Sequence, residues 1–416
     1  MANSRAAAVA VGAVQSAVPD VSRTAEVNRS EPIRIAPLDG LRGVAILLVL
    51  LHNSGTVSGA LSSIGLKLWA ALVAPGWVGV QLFFALSGFL ITRILLESKG
   101  TDGYFRRFYM RRILRIFPLY YAALAIVFFV APHVRGLEAL AERYPRSALW
   151  YWSYLANWAL PFGSLAPSLG HVWSLAVEEQ FYIVWPAVVL VLRERSLAAL
   201  CISMVLAALV VRVALFRIYE PITASSAAYN FTIARCDALA MGALVAVLAR
   251  HPRAMAIALR WTYRVAVASA LAIAAIFVMQ RGFHPLEFPI VTVGQTVLAM
   301  LSGALVLLCL SPSARAATVC WQRAMSASWL RSVGKYSYAM YVVHLPLSRV
   351  LRPHVEGALA SGGSMMRLGE HVAYAFVIIV LSYALALVSW HLIEQPFLNL
   401  RRLFTVPAER EAPALA

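Results

Sequence analysis

The chain has 416 residues, of which 61% are hydrophobic and only 13% are charged. A soluble globular protein averages about 25% charged residues, so this composition excludes a soluble enzyme and indicates an integral membrane protein. The net charge of +17 would also suit a nucleic-acid-binding protein, and the placement of the basic residues along the chain decides between the two classes.

Ten hydrophobic stretches of about 20 residues, the length that crosses a bilayer, run through the chain. They predict an all-α fold, a polytopic membrane helix bundle of about ten transmembrane helices. The stretches lie at roughly 40–57, 76–96, 113–132, 173–193, 197–216, 229–249, 261–280, 288–310, 334–352 and 372–393. The aromatic segment 148–162 is short and is predicted to be interfacial or re-entrant.

The rest of the chain is predicted to form tails. Residues 1–34 contain no long apolar run, which predicts a disordered cytoplasmic tail. A transmembrane domain is expected over 35–400, followed by a short cytoplasmic tail over 401–416. The four cysteines show no metal-ligand spacing, and we expect neither a disulfide framework nor a metal site.

The 36 Lys and Arg residues are distributed unevenly across the predicted loops. Twenty-four lie in the two tails and in the loops on the same side, nine lie in the opposite loops, and three lie inside spans. Because cytoplasmic loops carry the excess of Lys and Arg, both termini are predicted to be cytoplasmic. This asymmetry accounts for most of the basicity, so no nucleic-acid partner is needed, and anionic lipid headgroups are the expected partners.

The stretch from His171 to Pro186 opens an apolar span with a cluster of polar residues. On a helix, His171, Ser174 and Glu178 share one face and would line a common polar stripe. Ionisable groups at membrane depth normally face a bundle interior or a watery cavity. The alternative is a helix end at the interface, with Glu178 and Glu179 at the lipid headgroups.

The first span carries a basic residue at its start and a titratable residue near its end. Arg42 lies near the cytoplasmic edge, where it can either snorkel or bind a ligand. His52 lies ten residues further on, about 15 Å deeper at the rise of an α-helix, and therefore near mid-membrane. A buried His is either a satisfied structural group or a catalytic base, and both alternatives stay open.

Two further segments suggest helix packing and phosphate binding. The stretch 76–92, which includes Ser87, is rich in small residues that permit helices to approach closely. Arg112 and Arg115 share a face of the following helix, and their guanidinium forks suit phosphate groups. The alternative for these arginines is a cytoplasmic topology signal.

Later spans contain further ionisable residues. Arg235 and Asp237 are two positions apart, about 200° around a helix, so they cannot pair with each other and need partners on other helices. His344 and Glu394 lie near predicted interfaces, which by itself explains their presence.

Taken together, these residues resemble the membrane-bound acyltransferase-3 family, whose bacterial members O-acylate surface polysaccharides and other extracytoplasmic acceptors. The resemblance covers about residues 36–400 and rests on the order and spacing of several marks along the chain. These are His171–Pro186, Ser87–Thr92, Arg111–Arg115 with Pro118, Arg235–Asp237 and Ser337–His344. It implies a ten-helix bundle in the bacterial inner membrane, a cytoplasmic acyl-CoA donor, an acceptor hydroxyl on the far side, and no metal or nucleic acid.

One position departs from the family pattern, which places ten residues between an Arg and a His in the first helix. Here nine residues separate Arg42 from His52, and Asn53 occupies the expected position. The family spacing would bring the two side chains within about 20° of each other on a helix, whereas this spacing leaves them about 80° apart. Many relatives also carry a C-terminal esterase-like domain, which we expect to be absent because only 22 residues follow Glu394.

The leading hypothesis is a membrane O-acyltransferase that moves an acyl group, most simply acetyl, from cytoplasmic acyl-CoA to a hydroxyl of an extracytoplasmic glycan or glycolipid. His52 or His171 would be the base, with Glu178 orienting it or sharing its proton. Arg42, Arg112 and Arg115 would bind the donor. The remaining residues would contact substrate or make structural polar contacts, namely Ser87, Trp173, Ser174, Glu179, Arg235, Asp237, His344 and Glu394. The alternative is a transporter or flippase for a glycan or acylated metabolite, because buried polar residues also line substrate paths.

Overall fold

The computed structural model describes residues 35–55, 63–140, 145–163, 166–280, 284–312, 315–361 and 364–400, and all regular secondary structure in these ranges is helical. The predicted tails, 1–34 and 401–416, lie outside the described residues. The α-helices in chain order are α1 Ala36–Gly55, α2 Ile64–Val73, α3 Gly79–Glu97, α4 Tyr104–Ala125, α5 Pro145–Trp152, α6 Ala156–Ala159, α7 Trp173–Val191, α8 Glu194–Ile218, α9 Pro221–Asn230, α10 Thr232–Ala249, α11 Pro252–Gln280, α12 Gln295–Leu310, α13 Ala316–Met325, α14 Ser328–Ser361, α15 Ser364–Ser389 and α16 Gln395–Asn399.

Shorter helical turns join or extend these helices. The 3₁₀ turns are Ala74–Val78, Ala131–His133, Leu160–Phe162 and Pro167–Val172. The π-helical turns are Ile126–Val130, Ile290–Gly294 and Trp390–Glu394. The aromatic segment predicted to be interfacial or re-entrant forms the short helices α5 and α6.

Within the described ranges, nine helical stretches are long and apolar enough to cross a membrane, which confirms a multi-pass helical membrane protein. The remaining predicted span, 334–352, lies within α14, which is 34 residues long. This helix is less apolar because it carries buried polar residues such as Ser337, His344 and Ser348. Such residues face other helices of the bundle rather than lipid.

Glycines set the close crossing of α3 and α10. A Cβ on Gly88 would lie 1.9 Å from the Leu239 carbonyl oxygen, and a Cβ on Gly242 would lie 1.9 Å from the Ala85 carbonyl oxygen. Only glycine permits this approach from both sides. The contact confirms the packing role predicted for the small residues of 76–92, and it places Phe84 and Ser87 of α3 deep in the bundle.

A second close crossing joins α1 to α14. A Cβ on Gly334 would lie 1.9 Å from the Asp39 carbonyl oxygen, and one on Gly43 would lie 2.3 Å from the Leu330 carbonyl oxygen. The two helices therefore run side by side from this crossing. As a result, Asn53 near the end of α1 meets His344 in the middle of α14.

The apolar surface of the bundle is turned outward. On α11, the side chains of Val267, Leu271 and Val278 are exposed despite being apolar. Lipid tails are as apolar as these side chains, so helices that line the membrane expose them at no cost. Buried polar residues lie inside the bundle instead, among them His171, Ser174 and Glu179 at and near the start of α7.

Candidate active site

A histidine cluster lies where the start of α7 meets α1 and α14, and it consists of Asn53, His171, Ser174, Tyr341 and His344. The rings of His171 and His344 are 4.9 Å apart between centroids, at an interplanar angle of 73°. Both rings are buried, with 6% and 1% of their surface exposed. The structure therefore brings together three predicted site residues with two that were not assigned a site role from the sequence.

The partners of His344 assign its tautomer. Its Nδ1 lies 2.7 Å from the Tyr341 carbonyl oxygen, and its Nε2 lies 3.0 Å from Nδ2 of Asn53. A carbonyl oxygen only accepts, so Nδ1–H of the imidazole donates, and the Asn53 amide donates to Nε2. Both nitrogens of His344 are thereby satisfied in the neutral form.

His171 has one satisfied nitrogen and one without a partner. Its Nε2 lies 3.2 Å from the Val342 carbonyl oxygen, so Nε2–H donates. Its Nδ1 is buried and has no hydrogen-bond partner among the described residues. In this tautomer Nδ1 carries a lone pair and is able to accept a proton.

Ser174 and Tyr341 link the start of α7 to α14. The Ser174 Oγ lies 2.5 Å from the Tyr341 hydroxyl oxygen, and the Tyr341 hydroxyl also donates to the His171 carbonyl oxygen at 2.9 Å. Tyr341 is within electrostatic range of Glu178 and Arg235 as well. Tyr341 therefore links the histidine cluster to the charged groups Glu178 and Arg235.

The structure does not bring His52 to this cluster. The His52 Nδ1 lies 3.2 Å from the Val73 carbonyl oxygen, on the side of α1 that packs against α2 and the 3₁₀ turn 74–78. The next residue, Asn53, points toward His344 because successive residues of a helix are rotated by about 100°. Asn53 thus occupies in space the position that the family spacing assigns to a His. The role of His52 as a base stays a prediction.

The predicted polar stripe of His171, Ser174 and Glu178 is divided between two groups. The α-helix begins only at Trp173, and His171 lies in the preceding 3₁₀ turn. His171 and Ser174 contact α14, whereas Glu178 accepts a hydrogen bond from Ser87 of α3 at 2.7 Å. The expectation that Glu178 orients a His base is therefore not met, since the His171 ring is held by a backbone carbonyl.

A second group, the arginine–glutamate cluster, surrounds Glu178 and consists of Arg42, Ser87, Arg112, Arg115, Glu178, Glu179, Tyr182 and Glu394. Tyr182 donates to Ser87 at 3.0 Å and completes the chain that ends at Glu178. Arg42 and Arg112 are both within electrostatic range of Glu178. Arg112 also lies over the Tyr182 ring, 5.5 Å from its centroid.

Arg115 extends this cluster toward the end of the chain. It is within electrostatic range of Arg42 and of Glu394, which lies in the π turn after α15. Arg42, Arg112 and Arg115 are all half-buried. All three were predicted to bind the donor, and a shared helix face was predicted only for Arg112 and Arg115.

Two buried carboxylates of the same region retain a free oxygen. Glu179 and Glu394 have 7% and 5% of their surface exposed, and one oxygen of each has no hydrogen-bond partner in the described part of the chain. Glu179 interacts electrostatically with Glu178 and Arg112. Glu179 is buried, and Glu178 is half-buried and bonded to Ser87, which favours a place inside the bundle over the alternative at the lipid headgroups.

Arg235 and Asp237 have separate surroundings, as their positions on one helix predicted. Asp237 forms a fully buried salt bridge of 2.8 Å with Arg212 of α8. Arg235 instead lies among the rings of Phe84, Trp173 and Tyr229. The sequence placed Arg212 inside a span but did not identify it as the partner of Asp237.

A family model described as an acyltransferase domain, acyltransferase-3, matches residues 35–390. YrhL of Bacillus subtilis (strain 168), provisionally named a peptidoglycan O-acetyltransferase, is 28% identical over 381 residues, which cover 87% of this chain and 54% of that protein. The peptidoglycan O-acetyltransferase OatA of Listeria monocytogenes is 28% identical over 362 residues, covering 84% of this chain and 54% of that protein.

A protein of Staphylococcus aureus (strain COL), provisionally named an O-acetyltransferase, is 30% identical over 182 residues, covering 41% of this chain and 28% of that protein. The chain thus spans about half the length of the first two relatives. No solved structure matches it significantly. Because the family match extends over residues 35–390, which form most of the helical bundle and include the whole histidine cluster, the chain belongs to the acyltransferase-3 family.

Proposed function

We propose that this protein is a membrane O-acyltransferase that transfers an acetyl group from cytoplasmic acetyl-CoA to a hydroxyl of an extracytoplasmic glycan or glycolipid. Membership of the acyltransferase-3 family and the names of the two longest-matching relatives support this activity. The observation that carries it is the Nδ1 of His171, which is buried in the bundle and has no hydrogen-bond partner within the described ranges.

The donor binds at the arginine–glutamate cluster. Arg42 and Arg115 are within electrostatic range of each other, and so are Arg112 and Arg115. A bound polyanion would reduce the repulsion between these neighbouring arginines, and guanidinium forks match phosphate geometry. Glu178 positions Arg42 and Arg112, and the half-buried side chains leave the phosphates of coenzyme A a route from the cytoplasm.

The acceptor approaches from the other side of the membrane. A cavity of about 500 Å³ lies between the segment 145–163 and the start of α10. Its lining is mainly aromatic, as is common for ligand pockets, and consists of Trp150, Trp158, Ala159, Phe162, Gly163, Tyr219 and Phe231. Behind Phe231, Thr232 joins a polar network with Asn157 and Gln180.

His171 acts as the general base of the reaction. Its Nδ1 takes the proton from the acceptor hydroxyl while that oxygen forms a bond to the thioester carbonyl carbon. The carbon–sulfur bond then breaks, and the thiolate of coenzyme A takes up the proton from His171. Asn53 holds the ring of His344, and the ring of His344 packs against that of His171 and so positions it. The hydrogen bond from His171 Nε2–H to the Val342 carbonyl also positions His171.

The test is acyl transfer by the purified protein in lipid nanodiscs. Acetyl-CoA labelled in the acetyl group is supplied with peptidoglycan fragments, and labelled ester is measured by mass spectrometry. We expect alkali-labile ester on the glycan in the wild type and none above background in His171→Ala. Movement of labelled substrate across a vesicle membrane without any ester would instead support the transporter hypothesis and would contradict this proposal.

A further inference from the structure

The guanidinium of Arg235 is buried without any hydrogen-bond acceptor. Its exposure is 0%, and Nε, Nη1 and Nη2 all lack a partner among the described residues. The nearest groups are aromatic rings, with the guanidinium carbon 4.9 Å from the centroid of Tyr229, 5.4 Å from Trp173 and 5.6 Å from Phe84. Arg235 is thus surrounded by aromatic rings, and no carboxylate of the described residues forms an ion pair with it.

The nearby carboxylate does not supply that counter-charge. Asp237 is bound by Arg212 at 2.8 Å and accepts from the backbone N–H of Ala238 at 2.9 Å. Arg212 donates in addition to the Ala234 carbonyl and to Thr296. The group of two arginines and one aspartate therefore keeps one positive charge, located on Arg235.

Aromatic faces compensate only part of the cost of burying this charge. A cation over a ring is attracted to it, but the ring face offers no acceptor for the five N–H donors that lie in the guanidinium plane. Burying an unpaired ion is otherwise strongly unfavourable. A negatively charged oxygen that accepted hydrogen bonds from the Arg235 guanidinium would therefore complete this site.

Arg235 lies close to the proposed base. Trp173, which packs on Arg235, is two residues from His171. Tyr341 is within electrostatic range of Arg235, and its hydroxyl donates to the His171 carbonyl oxygen. An anion bound by Arg235 on the side of Tyr341 would thus lie beside the histidine cluster, which contains His171.

We propose that Arg235 binds the oxyanion that develops on the thioester carbonyl oxygen during acyl transfer, an assignment that rests on the proposed function. As the acceptor oxygen bonds to the carbonyl carbon, its proton passes to His171 Nδ1 and the electron pair of the C=O bond moves onto oxygen. The guanidinium donates to that oxygen. The pair returns as the carbon–sulfur bond breaks, and the thiolate leaves with the proton from His171.

The size of the site favours this oxygen over a carboxylate of the glycan. The guanidinium has no exposed surface and is covered by three rings, so only a small acceptor entering from the histidine cluster can reach it. An acetyl carbonyl is such a group. Donors placed where charge develops, in a site without water, contribute strongly to the rate of acyl transfer.

The test compares Arg235→Met, Arg235→Lys and the exposed control Arg217→Met in the labelled-acetyl assay. Arg235→Met should lower kcat by about 10²–10³-fold, the usual effect of losing one oxyanion donor, and should change the KM for acetyl-CoA and for the glycan by less than about 3-fold. Arg235→Lys should recover part of the rate because it keeps the charge but not the fork. Arg217→Met should match the wild type.

Folding is followed separately by thermal unfolding of each variant in nanodiscs. Replacing a buried unpaired charge by an apolar side chain of similar length should leave the unfolding temperature unchanged or raise it. A fall in kcat together with a retained unfolding temperature excludes a merely structural role. If Arg235→Met does not fold, the kcat and KM of Arg235→Lys test the role of Arg235 instead. A Lys variant with full kcat would overturn the assignment of Arg235 as the oxyanion donor.

Other outcomes separate the two proposals. If the wild type transfers acetyl and His171→Ala does not, yet Arg235→Met is fully active, only the oxyanion assignment fails. If Arg235→Met raised the KM for the glycan at unchanged kcat, Arg235 would bind a substrate carboxylate. That result would also overturn the oxyanion assignment. Absence of acetyl transfer by the wild type would refute the proposed function itself.

Discussion

At the scale of single residues, the surroundings of the imidazoles distinguish the two candidate bases. The Nε2–H of His171 donates to the Val342 carbonyl, and this bond keeps the lone pair on the buried Nδ1. His52 is held by the Val73 carbonyl on another face of the bundle. Only His171 shares a cluster with a second histidine, a serine and a tyrosine.

His171→Ala is expected to lower the acetyl-transfer rate by about 10²–10⁴-fold, the range typical of losing a general base. His52→Ala serves as the matched control and should stay within a few-fold of the wild type, because its ring does not face the cluster. Initial rates are measured with labelled acetyl-CoA in nanodiscs, and circular dichroism checks the fold. An inactive His52→Ala beside an active His171→Ala would return the role of base to His52.

If the arginines of α4 bind the donor as proposed, replacing them should affect donor affinity more than the chemical step. Arg112→Ala or Arg115→Ala is expected to raise the KM for acetyl-CoA by about 10- to 100-fold, the effect of losing a charge-assisted hydrogen bond, with a smaller effect on kcat. Lys should restore the affinity only in part, because it lacks the planar fork.

Arg106→Ala is the control for these variants, since this exposed residue lies on the same helix. Its removal should leave the KM for acetyl-CoA unchanged. Unchanged donor affinity in both Arg112→Ala and Arg115→Ala would mean that the two arginines are topology signals. Reporter fusions with the same variants would then show the change in orientation.

At the scale of helices, two crossings without intervening side chains position the site. The crossing of α3 and α10 sets Phe84 beside Arg235, and the crossing of α1 and α14 sets Asn53 beside His344. In a membrane, close packing of small residues is a main source of helix association, because lipid tails compete equally for apolar surface. The positions of the polar side chains in the clusters therefore depend on glycine contacts between helix backbones elsewhere along the same helices.

Gly88→Ala and Gly242→Ala are expected to destabilise the protein by at least about 1–3 kcal/mol, because the new Cβ would overlap a carbonyl oxygen and force α3 and α10 apart. Gly369→Ala is the control, since a Cβ there meets nothing within 4 Å and Ala suits a helix better than Gly. Thermal unfolding in detergent measures the effect. Equal stability of all three variants would contradict the described crossing.

At the scale of the whole molecule, the orientation in the membrane decides from which side each substrate would reach the arginine–glutamate cluster and the aromatic cavity. The 24-to-nine distribution of basic residues predicts cytoplasmic termini. In that orientation the proposed function has the arginine–glutamate cluster bind the donor from the cytoplasm and the aromatic cavity bind the acceptor from outside. A single site between them would serve both substrates.

Reporter fusions test the orientation directly. An alkaline phosphatase fusion after Ser164 or after Ser364 should be active, which indicates a periplasmic position, and a fusion after Gly103 should be inactive. Green fluorescent protein at the same three positions should give the reverse pattern. A cytoplasmic signal at Ser164 would invert α7 and would contradict entry of the acceptor beside His171.

Composition and local pattern were sufficient to predict much of this protein. The length and apolarity of the spans predicted a multi-pass helical bundle, since a bilayer accepts little else. The rarity of ionisable residues within spans identified most of the residues that line the two clusters. The spacing of Arg235 and Asp237 predicted that each would find partners elsewhere, because residues two positions apart on a helix point in nearly opposite directions.

Only the tertiary structure decided which of these residues meet. The contact between Asn53 and His344 joins positions 291 residues apart, and that between Ser87 and Glu178 joins positions 91 residues apart. No local pattern encodes such pairs, and one helical step of about 100° was enough to turn His52 away and Asn53 inward. The pairing of Asp237 with Arg212, which leaves Arg235 without a counter-charge in the part of the chain that the structure describes, likewise depends on how α8 packs against α10.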